Sequence, residues 1–216
     1  KEHIDYIRRA VIPNASEDFY EYLLTMNTSE VTVEALPEGT IAFPKVPFIT
    51  ISGPLAVVQL LETTLLNICN FASLMATNAA RHCMAVNYSK GMIEFGTRRA
   101  QGPDGALAAA KYSYIGGFNG TSNLQAGMTF DIPVMGTHAH SYVMSHVNGW
   151  KDITDKKLVF KGETLSEDFI KDVLEVQAEF KKLRNVDTNQ NELVAFTAYA
   201  LTFPDQFLAL VDTYDV

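Results

Sequence analysis

From Gly91 onward the chain repeats one order: a short run of strand-forming residues, a polar loop, then a helical stretch. Such alternation restricts the fold to a parallel sheet with right-handed crossovers, as a closed barrel or an open doubly wound sheet, because tight hairpins cannot join parallel neighbours. Both solutions put the chemistry at the carboxyl ends of the strands. The predicted strands are "GMIEFGTRR", a run around Tyr114 to Gly117, "IPVMGTH" and "FLALVDTYD". Between them lie predicted helices: "DGALAAAKYSYIG" with Asp104 as N-cap, the short "TSNLQAGMTF", and "NELVAFTAYALTF". "TLSEDFIKDVLEVQAEFKKLRN" predicts one more, opened by a Thr164 and Glu167 capping box. "NGWKDITDKKLVFKGETLS" reads as the most loop-like and mobile segment.

Upstream of Gly91 the pattern differs. "TVEALPEGTIAFPKVPFITISGP" predicts two or three short strands ending at Gly53 and Pro54, and a long helix follows from about Leu55 to about Ala85. Its apolar residues lie nearly all round, which predicts burial on both sides. Glu62 and several asparagines and threonines interrupt it, so it is read as a core helix and no membrane partner is expected. The charged, amphipathic start lacks the apolar core of a signal peptide. Cys69 and Cys83 fall in apolar surroundings, as buried thiols do, which implies a reducing cytosol. With 47% hydrophobic residues and a net charge of -8, the chain reads as a soluble globular protein that would repel nucleic acid at long range. Any anion site must then be a local concentration of positive charge.

Polar residues follow every predicted strand: Arg98 and Arg99 the first, Asn119 to Asn123 the second, Thr137, His138 and His140 the third, and Asp212 the fourth. One rim would thus gather guanidinium, amide, imidazole and carboxylate groups. Arg98 offers a planar fork for a carboxylate or phosphate, while strand alternation sends Arg99 to the opposite side; a surface or rim salt bridge is the plainer reading of either arginine. "HAH" places two imidazoles at i and i+2, as metal ligands would stand, but no third ligand falls at a metal spacing. His138 reads as a packed or solvent-facing imidazole, and His140 lies at or near a helix start. No phosphate-loop motif is present.

"EFGTRRAQGPDGALAAAKYSYIGGFNGTSN", followed by "PVMGTHAHSYVMSH" and "ALVDTYDV", resembles nicotinate phosphoribosyltransferase of the animal cytosolic type. The upstream "LPEGTIAFPKVPFITISGPLAVVQLLETTLLNICNFASLMATNAAR" is similar to the same family, so the resemblance covers nearly the whole chain. It implies an α/β fold: part of a type II phosphoribosyltransferase irregular α/β barrel of about four strands, preceded by a small α+β domain. Residues 1–54 would be part of the small domain, 55–90 the long connecting helix, and 91–216 the first half of the barrel. The implied reaction joins nicotinate to phosphoribosyl pyrophosphate, giving nicotinate mononucleotide and pyrophosphate with ATP hydrolysis, as the entry to NAD salvage. By the same resemblance His140 is the histidine that ATP phosphorylates, and Asp212 lies near the ribose and magnesium of the donor. Phe95 stacks on the pyridine ring, Arg98 and Thr137 contact nicotinate, and Asn123 stands where the nicotinamide-specific relative has an aspartate.

The implied cofactor is Mg2+ (or Mn2+) carried on the donor, with ATP as co-substrate, and the implied state is a cytosolic homodimer with shared active sites. The family's chain is longer, with an upstream tyrosine that enters the partner's site and downstream strands that bring another arginine and the phosphate loops. This chain alone is therefore expected to be inactive. Two other readings remain: a metal-dependent hydrolase on an α/β barrel, with "HAH" and Asp212 as ligands, and a catalytically incompetent dimerisation partner.

Overall fold

The structure is a computed structural model that describes residues 1–185 and 187–215. By packing, the chain forms two units. The first comprises Lys1–Met92 with Ala100–Phe118, and the second Ile93–Arg99 with the chain from Asn119 onward.

The first unit opens with helix α1 (Glu2–Tyr6), which widens into a π turn over Ile7–Val11, and helix α2 (Glu17–Thr25). Tyr20 of α2 is buried, donates its hydroxyl to the Ile12 carbonyl, and carries the Arg8 guanidinium 4.7 Å above its ring. Strands β1 (Thr32–Ala35) and β2 (Ile49–Ser52) pair antiparallel, as the alternation of β-branched residues predicts. Gly53 then lets the chain leave close against Glu30 and Val31, where a Cβ would meet atoms at 3.1–3.2 Å.

Helix α3 (Leu55–Ala85) has the predicted length but not the predicted burial. Only Val57, Ala79 and Cys83 are buried, while Leu55, Leu60, Ile68 and Leu74 are more than half exposed. The physical reason lies in what packs on it: helix α4 (Gly102–Ile115) is its main partner within this unit, and one helix covers one stripe. By length and composition α3 is the one helix among the described residues that could cross a membrane. Cys69 is half-buried and Cys83 buried, both as free thiols.

Helix α4 buries Ala106, Ala110 and Ser113, an i, i+4, i+7 stripe. Its N-cap is Gln101, and Asp104 sits inside the first turn, where a carboxylate favours the helix dipole without capping it. The helix also continues through Tyr114 and Ile115, which correspond to no strand. Packing overrides the β propensity of this stretch: Gly116, lacking Cβ, lies against the Ala76 carbonyl and the Ala79 methyl.

In the second unit β3 (Ile93–Glu94) pairs parallel with β4 (Gly120–Thr121), in register Ile93↔Gly120 and Glu94↔Thr121. Thr121 in turn bridges parallel to Val134. The first strand stops short of Arg98 because Gly96 N–H is taken by the Glu94 carboxylate and Arg99 N–H by the Gly96 carbonyl. These bonds turn Thr97–Arg99 into a 3-10 helix, so strand alternation does not separate the two arginines.

Helices α5 (Leu124–Phe130) and α6 (His140–Ser145) follow, and then a 3-10 turn at Gly149–Asp152. The segment read as loop-like folds into a hairpin of β5 (Leu158–Phe160) and β6 (Glu163–Ser166). Its turn residues Lys161 and Gly162 both have positive φ, the geometry that tight hairpins favour. Thr164 therefore lies in a strand, and helix α7 (Phe169–Arg184) is capped instead by Asp168, which accepts from Lys171 N–H at 3.1 Å.

Helix α8 (Gln190–Thr202) is capped by Asn189 and buries Val194, Ala195 and Thr197. It packs on α6, whose Val143 is fully buried. Residues 207–212 join no sheet among the described residues, so the fourth predicted strand is absent there. Without a hydrogen-bonded neighbour, a β-rich sequence has no ladder to enter.

Candidate functional site

The parallel register of the second unit lines up three chain segments, and a candidate loop leaves each at its carboxyl end. Thr121 is the centre of this arrangement. It pairs with Glu94 on one side, while on the other its N–H donates to Pro133 O and its carbonyl accepts from Met135 N–H, both at 3.0 Å. Residues 95–99, 122–123 and 136–140 therefore leave neighbouring strand ends on the same edge. Three of the four predicted groups share a rim.

Glu94 holds two of these loops together. It is buried, with 7% of its surface exposed, and accepts from Thr121 Oγ1 at 2.7 Å and from Gly96 N–H. Thr121 Oγ1 also accepts from Asn123 N–H at 3.0 Å, and Ser122 N–H donates to the Glu94 carbonyl at 3.0 Å. A carboxylate so deep survives by being hydrogen-bonded, and these bonds fix the backbone on either side of Phe95 and Asn123. Sequence reading treated Glu94 only as part of a strand, although an acid between Ile93 and Phe95 is the kind of residue that must find a buried partner.

Phe95 is 41% exposed, so its ring has a face open to a ligand. Arg98 and Arg99 are exposed, and neither makes an ion pair among the described residues, so the salt-bridge alternative is not seen there for either. Asn123 is the N-cap of α5: its Oδ1 accepts from Ala126 N–H at 3.0 Å. That bond leaves the amide nitrogen as the group for a ligand, and a nitrogen of this kind only donates.

Thr137 is half-buried and its hydroxyl reaches only the His138 carbonyl, at 3.3 Å. His140 is the first residue of α6, as expected. Its Nδ1 lies 3.1 Å from Thr213 Oγ1, and its Nε2 lies 3.9 Å from Asp212 Oδ1, an ion-pair distance. Both His140 and Asp212 keep much of their side chains exposed, 38% and 51%. Asp212 thus joins His140 even though its own segment is not a strand. Thr213, which sequence reading passed over, completes the group.

His138 faces elsewhere. Its ring packs among Tyr142, Phe196 and Tyr199, at centroid distances of 6.0, 5.2 and 5.7 Å, and both ring nitrogens are buried without a hydrogen-bond partner among the described residues. Burial, and then neighbouring Tyr199, raise the Tyr142 hydroxyl above its ordinary pKa, so it stays protonated and donates to Ala195 O at 3.1 Å. The two imidazoles of "HAH" therefore do not converge on one point. Among the described residues no three His, Cys, Asp or Glu side chains gather as metal ligands.

Residues 1–70 match the nicotinate phosphoribosyltransferase (NAPRTase) N-terminal domain, and residues 91–161 match the nicotinate phosphoribosyltransferase (NAPRTase) family. The chain belongs to the nicotinate phosphoribosyltransferase family. It is 51% identical to nicotinate phosphoribosyltransferase 2 of Arabidopsis thaliana, across 100% of this chain and 39% of that protein. Identity to the Caenorhabditis elegans nicotinate phosphoribosyltransferase is 48%, over 99% of this chain and 39% of the relative. The human enzyme is 45% identical over 99% of this chain and 40% of its own length. The crystal structure of human nicotinic acid phosphoribosyltransferase superposes with a TM-score of 0.77 at 41% identity, across 100% of this chain and 44% of that chain. The fold is therefore the partial α/β phosphoribosyltransferase fold that the sequence implied. The chain spans about two fifths of the length of these curated relatives.

Proposed function

We propose that this chain carries the base-binding and phosphohistidine parts of a nicotinate phosphoribosyltransferase site. The observation that supports it most is the parallel register that sets the Phe95–Arg99, Ser122–Asn123 and Gly136–His140 loops side by side on one strand edge. A flat anionic ring suits those groups: Phe95 offers a face for the pyridine, the exposed Arg98 guanidinium a fork for its carboxylate, and the Asn123 amide nitrogen a further donor. Thr137 adds a hydroxyl near the same edge.

In the transfer, the pyridine nitrogen bonds to the anomeric carbon of the phosphoribosyl donor as the bond from that carbon to pyrophosphate breaks. The chain's own residues hold the ring and its carboxylate so that the nitrogen lone pair faces the donor, a gain in proximity rather than in acid–base chemistry. A donor-bound Mg2+ would supply charge neutralisation for the leaving pyrophosphate, with Asp212 the carboxylate nearest to hand on this chain. The residues fit a metal that arrives with the donor, because Asp212 is an exposed carboxylate and no ligand cluster gathers among the described residues. ATP enters through His140, whose phosphorylated form would improve use of the donor.

The test follows formation of nicotinate mononucleotide by the full chain carrying this sequence, with and without ATP, in wild type and His140→Ala. We expect ATP to stimulate the wild type and the stimulation to vanish in the variant. Equal ATP stimulation in both would overturn the assignment of His140, and no product from nicotinate would overturn the reading.

A further inference from the structure

Two consecutive residues address the two nitrogens of His140 separately: Thr213 Oγ1 lies 3.1 Å from Nδ1, and Asp212 Oδ1 lies 3.9 Å from Nε2. At 3.9 Å Asp212 is too far to accept a hydrogen bond from Nε2, but its negative charge on that side favours a proton there, and with hydrogen on Nε2 the lone pair of the neutral ring is on Nδ1. A hydroxyl can donate to that lone pair. It thereby fixes the rotation of the ring, as partners of a reactive imidazole commonly do. Residues 207–212, which lead to Thr213, pair with no strand among the described residues.

We propose that Thr213 is a positioning residue for phosphoryl transfer to His140, its hydroxyl holding the imidazole so that Nδ1 is presented to the γ-phosphoryl group of a nucleoside triphosphate. This rests on the reading of His140 as the phosphorylated residue. In the step, the Nδ1 lone pair forms the N–P bond while the bond from the γ-phosphorus to the β,γ-bridging oxygen breaks, and the nucleoside diphosphate leaves with that electron pair. The positive charge that arises on the ring is met by the Asp212 carboxylate on the Nε2 side. Thr213 releases Nδ1 as the N–P bond forms, and its hydroxyl is then free to donate to a phosphoryl oxygen. One side chain thus orients the nucleophile before transfer and can accompany the phosphoryl group after it.

The alternative is that Thr213 matters only through its methyl group, as packing. Three forms of the full chain separate the two: wild type, Thr213→Val, which keeps the shape and removes the hydroxyl, and Thr213→Ser, which keeps the hydroxyl and removes the methyl. Each is labelled with γ-labelled ATP in a single turnover, and phosphorus NMR of the phosphoprotein in alkali reads which ring nitrogen carries the label. The expected result is labelling of Nδ1 in wild type and Thr213→Ser at rates within about threefold, a difference of under ~1 kcal/mol. Thr213→Val should be slower by about tenfold, ~1.4 kcal/mol, with label spread over both nitrogens of a ring no longer held.

Labelling of Thr213→Val at the wild-type rate and on the same nitrogen overturns the proposal while leaving His140 as the acceptor. A Thr213→Ser variant that loses labelling assigns the effect to the methyl and also overturns it, whether or not the valine variant folds. Absence of label on His140 in the wild type removes the functional reading itself, and the proposal with it.

Discussion

Asn123 does two things with one amide. Its oxygen caps α5 through Ala126 N–H, and its nitrogen is left to meet a ligand. Aspartate also caps helices well, so Asn123→Asp should keep the fold, with a melting temperature close to wild type. It replaces the donor with a second carboxylate oxygen, which repels a ligand carboxylate by like charge. The expected outcome is nicotinate affinity lower by roughly tenfold, ~1.4 kcal/mol, measured by titration of the full chain. Asn123→Ala separates the contributions: it loses the cap, about 1 kcal/mol of stability, and the donor, but adds no repulsion. Nicotinate binding by Asn123→Asp equal to that of wild type would remove Asn123 from the discrimination of substrates.

Among elements, α4 shows where sequence reading succeeded and where it could not. Its start and apolar stripe are legible in "GPDGALAAAKYSYIG", because the 3.6-residue period is a local signal. Its end is not, because Tyr114 and Ile115 have strand propensity and only the fit of Gly116 against α3 keeps them helical. The two glycines of this region should therefore respond in opposite directions. A Cβ at Gly116 would lie 2.4 Å from the Ala76 carbonyl oxygen and 2.6 Å from the Ala79 methyl. Gly116→Ala should separate the helices and cost about 1–3 kcal/mol. At Gly105, inside the helix, the nearest contact is an ordinary 3.6 Å to Gln101 Cβ. There alanine removes backbone freedom from the unfolded chain and should stabilise by about 0.5–1 kcal/mol. Paired thermal melts check both signs at once, and a stabilised Gly116→Ala would mean that α4 does not end against α3.

At the scale of the whole molecule, the edge that carries the candidate site was legible and the layers around it were less so. The polar groups at 98–99, 119–123 and 137–140 are visible in one dimension, but the strands before them are not all: the run around Tyr114 to Gly117 closes α4 instead, and β4 is Gly120–Thr121. Burial of α3 and a ladder for residues 207–212 depend on what else packs beside them, and no local pattern states that. The same distinction bears on the proposed transferase reading and on its alternative, a metal hydrolase. "HAH" reads as a ligand pair in sequence, yet the His138 ring turns into the aromatic cluster of Tyr142, Phe196 and Tyr199, whereas His140 faces Asp212 and Thr213. A resident metal stabilises the fold that binds it, so its removal lowers the melting temperature, while a metal carried in by a diphosphate does not touch the free protein. Treatment of the full chain with a chelator should therefore leave its melting temperature unchanged within about 1 °C, since a loss of even 1 kcal/mol shifts such chains by about 2–4 °C. The same treatment should abolish formation of nicotinate mononucleotide, and added Mg2+ should restore it. A melting temperature that falls on chelation and recovers with stoichiometric zinc would instead bring the hydrolase reading forward, with "HAH" and Asp212 as ligands.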